Sequence, residues 1–170
     1  MPKTHPMTNL DPSAQAQITA GDVAIELDAI DGVASLHDRT IPGSRAIIDH
    51  VVIGPSGVYV VDTNIGHGSI ERQENRLFVD DHDRTDLAIA MSHRIAAVSS
   101  ALSDFRFPIS RALCFVGGDC RATTLPFMLR GVWIGSPTQL YRLVSQPGLL
   151  QPNEIEDAAR LLDERFRPAG

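Results

Sequence analysis

Between Ile47 and Asn64 two β-branched, apolar runs, IIDHVVI and VYVVDTN, flank the tetrapeptide Gly54-Pro55-Ser56-Gly57. Strand-length apolar runs on either side of a Gly/Pro turn are the pattern of an antiparallel hairpin, around which the rest of the chain is organised. Each run carries one carboxylate. Side chains alternate across a strand, so Asp49 is expected to point with Val51 and Ile53, while Asp62 shares a face with Val58, Val60 and Asn64. An acid within an apolar strand is costly unless something pairs with it. Two such acids on hairpin neighbours, approached by Ser44-Arg45 and His50, are what a divalent-metal site built on a sheet needs. The spacing leaves a plainer alternative open, in which both are edge-strand aspartates facing water.

The remaining elements are read around that hairpin. Asp11 and Pro12 read as an N-cap and first helical residue, with apolar positions at helical spacing from Ala14 to Ile30 and an interruption at Gly21. Val33 to Asp38 reads as a short strand. Ser69–Arg72 and Arg76–Val79 read as a second hairpin around Glu74-Asn75, followed by a solvated acidic turn from Asp80 to Asp83. Leu87 to Leu102 carries one apolar stripe through Met91, Ile95 and Val98, as an ordinary core-facing helix does. Arg111–Val116 and Gly131–Ile134 read as buried strands. Ser136-Pro137 starts a short helix over 138–144, and Asn153 is expected to cap a last amphipathic helix that ends near Phe166. This order of elements predicts an α/β fold, a mixed β-sheet flanked by helices. A length of 170 residues suits one domain over 11–170 behind a polar, flexible N-terminal tail over 1–10.

Composition narrows the function classes. A net charge of −6 argues against a general nucleic-acid coat, because phosphate binding is driven by concentrated Lys and Arg. Among the fifteen basic residues there is a single lysine, Lys3, so chemistry that requires a lysine in the body of the fold has none to use. No run has the apolar length of a membrane span, and the first residues lack a signal-peptide core; the expected location is cytoplasmic, with no membrane partner. Cys114 and Cys120 read as thiols in a reducing compartment, with a disulfide between them as the alternative, and give no zinc motif. His37, His50 and His67 are scattered, and His50 is expected to hydrogen-bond near the hairpin and not to ligate a metal. Ser56 reads as a turn residue, without the partners a nucleophile needs.

The segment IPGSRAIIDHVVIGPSGVYVVDTN, Ile41 to Asn64, resembles the central motif of the nuclease-related domain (NERD) family, approximately N-I-D-H, three apolar residues, G-P-x-G, four apolar residues and D/E-x-K. The likeness continues through Gly66 to Ile70, the helix around Asp86 to Leu102, RALCFVGGDC and GVWIGSPTQLYRLV, and so covers most of the chain. That family in turn is similar to the PD-(D/E)xK superfamily, which implies a restriction-endonuclease-like fold. The resemblance implies that Asp49 and Asp62 hold Mg²⁺, which would polarise a phosphodiester and activate water, and that nucleic acid is the partner, DNA ahead of RNA. Three positions depart from the family pattern. The motif lysine is Asn64, which can hydrogen-bond a water but cannot act as a base near neutral pH. The glutamate expected on the first helix falls at Thr19-Ala20, with Gly21-Asp22 as its stand-in if the register shifts by two, and Glu26 as a further acid nearby. A glutamine common on the long helix corresponds to Arg94, read here as a solvated charge in preference to a phosphate contact. The resulting expectation is a phosphodiesterase fold with weak or lost activity that uses Asp49, Asp62, Asn64 and Asp22. The alternatives are a non-catalytic module that binds nucleic acid or protein, and a structural domain in which both acids are hydrogen-bonded polar groups. Oligomeric state has no signature in the sequence.

Overall fold

The computed structural model describes residues 19–66, 68–117 and 125–170. The central hairpin forms as its residues dictate, from β2 (Ile47–Gly54) and β3 (Gly57–Ile65), preceded by α1 (Ala20–Asp28) and β1 (Ala34–Thr40). Then come β4 (Ile70–Gln73), β5 (Arg76–Val79), β6 (His82–Asp83), α2 (Thr85–Ala101), β7 (Ile109–Val116), β8 (Phe127–Leu129), β9 (Val132–Gly135), α3 (Pro137–Val144) and α4 (Pro152–Arg165). Six strands make a mixed sheet in the order β1-β2-β3-β7-β9-β8, and β4-β5-β6 make a small second sheet. Strand β2 is antiparallel to both β1 and β3, β7 is parallel to both β3 and β9, and β8 closes the edge antiparallel to β9.

The turn residues show why the hairpin tolerates so little else. Gly57 has φ 143°, and a Cβ there would meet the Pro108 carbonyl oxygen at 2.6 Å. A Cβ on Gly54 would meet the Val144 carbonyl oxygen, also at 2.6 Å, so the turn is clamped from β7's approach on one side and α3's exit on the other.

Alternation along the central strands divides the core into two faces. Val58, Val60, Leu113 and Phe115 turn to one side, where they pack with Met91 and Val98 of α2, Ile155 and Leu162 of α4, and Ile70 and Leu77 of the small sheet. Val52, Tyr59, Val61, Ala112 and Cys114 turn to the other, against Val23 and Leu27 of α1 and Leu140 and Val144 of α3. A strand buried on both faces reads as a continuous apolar run, as β3 and β7 do.

Several expectations needed correction. The helix start at Asp11-Pro12 lies outside the described residues; within them, Thr19 caps α1 and Gly21 sits inside the first turn instead of interrupting it. Asp83 is part of the short strand β6 and not only of a turn, and its Oδ1 accepts from the Thr85 amide at 3.0 Å at the head of α2. Strand β8 had no sequence signal, being three residues long and paired only at an edge. The last helix begins at Pro152 with Gln151 as N-cap, whose amide donates to Glu154 Oε2 at 2.7 Å; Asn153 lies within the first turn. Proline at the first helical position fixes φ and has no N–H to satisfy, which moves the cap two residues upstream of the asparagine.

Leu113 lies at the centre of the sheet, fully buried, between Asp62 on β3 and Ile134 on β9. Leu113→Ala is expected to cost about 3 kcal/mol, as cavity-forming Leu→Ala changes in well-packed cores do, read from urea unfolding midpoints at unchanged slope.

Candidate metal centre on the central hairpin

The β2–β3 ladder runs from Gly54 paired with Gly57 to His50 paired with Val61, and there it stops. One residue on, a regular ladder would place Asp49 opposite Asp62. Asp49 instead turns its carboxylate into the gap between the strands: Oδ2 accepts from the Thr63 amide at 2.8 Å and from the Thr63 hydroxyl at 2.9 Å. A side chain thus takes a backbone donor that pairing strands would have used, which holds the gap open and fixes the carboxylate. Neighbouring β1 is irregular at the same level. Its register with β2 skips the pair Asp38 and Asp49, and Asp38 has φ 50°. In consequence Ile48, which strict alternation puts on the His50 face, is buried with Val51 and Ile53, and Asp49 is not a simple member of that row. The two acids therefore meet where β2 and β3 part.

The two carboxyl groups nonetheless come together. Asp62 is only 9% exposed. Its pKa is pushed up to about 6, first by burial, then by the charge of the adjoining Asp49, against the opposing pull of Arg94. Asn64, two residues along β3, shares the Asp62 face, since the parallel register sets Asp62 beside Leu113 and Asn64 beside Phe115, both on the α2 side. The Asn64 Nδ2 is buried without a hydrogen-bond partner. A buried amide donor without an acceptor is costly, and a water or phosphate oxygen is the kind of acceptor it lacks.

Arg94 was expected to be solvated. Its side chain is 20% exposed and lies over this gap from α2, with Nε donating to the Ile47 carbonyl at 3.0 Å, Nη1 donating to the Ala90 carbonyl at 3.4 Å, and Nε standing 3.7 Å from Asp62 Oδ1. Its position follows from α2: Met91 and Val98 anchor one helix face on the sheet, and Arg94 falls between them at the β2 end.

Asp22 is placed elsewhere. It is the N3 residue of the α1 capping box, its Oδ2 accepting from the Thr19 amide at 2.7 Å and the Thr19 hydroxyl at 2.8 Å, contacts that hold its pKa below the usual value. Helix α1 packs by Val23 and Leu27 on the sheet face opposite α2. Asp22 and Glu26 lie on the side of Tyr141, whose pKa is pushed up to about 12 by burial, then by Cys114 and those two acids. Among the described residues no group of three or more His, Cys, Asp or Glu side chains is arranged to hold a metal. The site is thus a pair, Asp49 and Asp62, with Asn64 and Arg94 at its border. Mg²⁺ binds through one or two carboxylates and keeps several waters, so a crowded, part-buried pair fits a loosely held ion.

One arrangement had no sequence signal. His50, on the opposite face of β2, meets His37 of β1 with 2.8 Å between their Nδ1 atoms, and His37 Nε2 lies 2.9 Å from Asp28 Oδ1 at the end of α1. Burial, then the neighbouring His37, lowers the His50 pKa to about 4. Only the β1–β2 register, which pairs His37 with His50, brings them together. Ser56 is a turn residue as expected, bonded to the Tyr59 hydroxyl at 2.6 Å. Cys114 is buried in β7, while His67 and Cys120 lie outside the described residues.

Comparison with known families gave a match of residues 17–116 to the family model described as Nuclease-related domain. No curated protein and no solved structure gave a match. No helix among the described residues is long and apolar enough to cross a membrane.

The acid pair should leave a signature in stability. Asp62 titrates near 6 folded against 3.8 in its unperturbed state, so between those values the folded chain holds more protons, and its contribution to stability falls as pH rises through that window. His50 acts in the opposite sense: with a folded value near 4 against 6.5, it costs stability as pH falls through its own window. Two pKa units correspond to about 3 kcal/mol, an upper figure for each group. Asp62→Asn is therefore expected to be more stable than wild type at pH 7 in EDTA, by up to ~3 kcal/mol, and to lose that advantage by pH 4. Paired urea titrations at pH 7, 5.5 and 4 measure it; an advantage independent of pH would show that the Asp62 carboxyl is not strained by its surroundings.

Proposed function

The chain belongs to the nuclease-related domain family, and on that premise we propose that it is a metal-dependent phosphodiesterase fold acting on nucleic acid, DNA in the first instance, with activity weakened or lost at the position of Asn64. The observation that carries this reading is the convergence of Asp49 and Asp62 in the gap between β2 and β3, with Asp62 pushed towards protonation first by burial and then by the charge of its neighbour. Carboxylates crowded in this way repel each other at neutral pH unless a cation stands between them. A bound Mg²⁺ would supply Lewis-acid polarisation of a phosphoryl oxygen and a more acidic water. The protein's own residues do the rest. Thr63 fixes Asp49 through two hydrogen bonds, Asp62 offers a second oxygen ligand, and Asn64 offers an amide N–H to hold a water or phosphate oxygen. No side chain at Asn64 can take a proton from that water near neutral pH.

A second reading, a nucleic-acid- or protein-binding module that keeps the fold without hydrolysis, is favoured by two placements. Asn64 stands where the family motif has its lysine, and Asp22 lies on the opposite sheet face, engaged in capping α1. Both readings predict weak Mg²⁺ binding; Mg²⁺-dependent turnover, however slow, belongs to the first alone.

Isothermal titration is expected to give weak Mg²⁺ binding that Asp49→Ala or Asp62→Ala abolishes. Nicking of supercoiled DNA is expected to be slow or absent, since loss of one transition-state electrostatic group commonly costs ~3 kcal/mol, a hundredfold or more in rate. Robust Mg²⁺-dependent cleavage lost in Asp62→Ala would contradict the weakened-activity reading. Asn64→Lys should place an ammonium beside the two acids without disturbing β3 and raise DNA affinity, the acids favouring its charged form so that it acts first as a clamp on phosphate. If a folded Asn64→Lys alters neither binding nor nicking, the two acids are structural.

A further inference from the structure

Arg94 is held by backbone carbonyls at the border of the acid pair. Nε is committed to the Ile47 carbonyl at 3.0 Å, which ties the guanidinium plane to the first residue of β2, and Nη1 reaches back to the Ala90 carbonyl of its own helix at 3.4 Å. A guanidinium carries five N–H donors, and among the described residues those of Nη2 have no partner. Asp62 is close enough for charge attraction, with 3.7 Å between Nε and Oδ1, yet too far for a hydrogen bond. The arginine is thus pre-oriented by backbone carbonyls, not by the acid beside it. A side chain whose partner was Asp62 would present its fork to the carboxylate, as bidentate Arg–carboxylate pairs do.

The neighbouring residues add a second, independent observation. The buried Asn64 Nδ2 is also a donor without an acceptor, on the same strand face as Asp62. Donors from α2 and from β3 therefore border one pair of carboxylates, and an anionic oxygen is an acceptor that both could take. Carboxylates alone would repel such an anion; a cation shared with it would remove that repulsion, and the Arg94 guanidinium supplies a positive charge beside them.

We infer that Arg94 is a phosphate-positioning residue, gripping a non-bridging oxygen of a nucleic-acid phosphodiester through Nη2 while Nε stays anchored on Ile47. The chain then carries its positive charge at this site on helix α2 instead of on the strand at Asn64. This rests on the phosphodiester reading above but is independent of whether turnover occurs. A guanidinium so placed also competes with a divalent ion for Asp62, so its removal acts on metal and on nucleic acid in opposite directions, which loss of packing alone would not do.

The experiment measures binding of a short single-stranded DNA oligonucleotide by fluorescence anisotropy, with Mg²⁺ or with EDTA, across a salt series, for wild type, Arg94→Gln and Arg94→Lys of matched thermal stability. Titration of Mg²⁺ alone is run on the same proteins. Arg94→Gln is expected to bind the oligonucleotide about tenfold more weakly and to lower the slope of log K against log salt by about 0.7, as loss of one contact to single-stranded phosphate does. Its affinity for Mg²⁺ alone is expected to rise severalfold. Arg94→Lys should recover most of the salt slope but less of the affinity, because it keeps the charge and loses the Ile47 anchor. Unchanged oligonucleotide affinity and slope in Arg94→Gln overturn the inference, as does absence of oligonucleotide binding by wild type with Mg²⁺. The two proposals fail separately. Arg94-dependent binding without any response to Mg²⁺ would reject the metal-dependent reading and leave the phosphate contact standing; Mg²⁺ binding that ignores Arg94, with DNA affinity also unmoved, would do the reverse.

Discussion

The separation of β2 from β3 at Asp49 is the constraint on which the rest of the site depends. A hairpin with a regular ladder would have paired the Thr63 amide with a backbone carbonyl and left Asp49 on one face. Because Asp49 takes that amide and the Thr63 hydroxyl through one carboxylate oxygen, the ladder ends there, and a polar break forms in an otherwise apolar sheet. Everything chemical in this region borders that break: Asp62 from β3, Asn64 two residues along, and Arg94 from the helix above.

Such a break is stable only because the sheet around it is over-determined. Beyond Val61 the hairpin loses its β2 partner, but β3 continues beside β7, pairing as far as Ile65 with Val116, so the strand that carries Asp62 and Asn64 is held straight from its other edge. The two core faces then close over β3 from both sides. Strain at the acids is thus supported by packing that the acids themselves do not provide, which is how a fold retains crowded charges.

The same architecture explains why the two histidines and the first-helix acid stand apart from the pair. His50 follows Asp49 directly in sequence, yet points away from the break, towards His37 and α1; Asp22 caps α1 on that same side. The sheet is therefore a divider, with an acid pair and an arginine on one side and an Asp28–His37–His50 chain on the other.

The hairpin, the α/β class, the long helix α2 and the buried strands β7 and β9 were legible in the sequence because each is fixed by local periodicity, turn chemistry and burial along a continuous run. The family was legible too, since its motif is contiguous from Ile41 to Asn64. Strand β8 and the cap at Gln151 were not, the first because three edge residues carry too little pattern and the second because Pro152 and Asn153 offer competing helix starts. The sequence by itself determined that Asp49, Asp62 and Asn64 lie on adjacent, largely buried strands. Only the tertiary structure decided that Asp49 enters the gap, that Asp22 falls on the far face and that Arg94 joins the site. Those outcomes depend on where a ladder stops and on which sheet face a helix covers, and neither is set by any residue's neighbours along the chain.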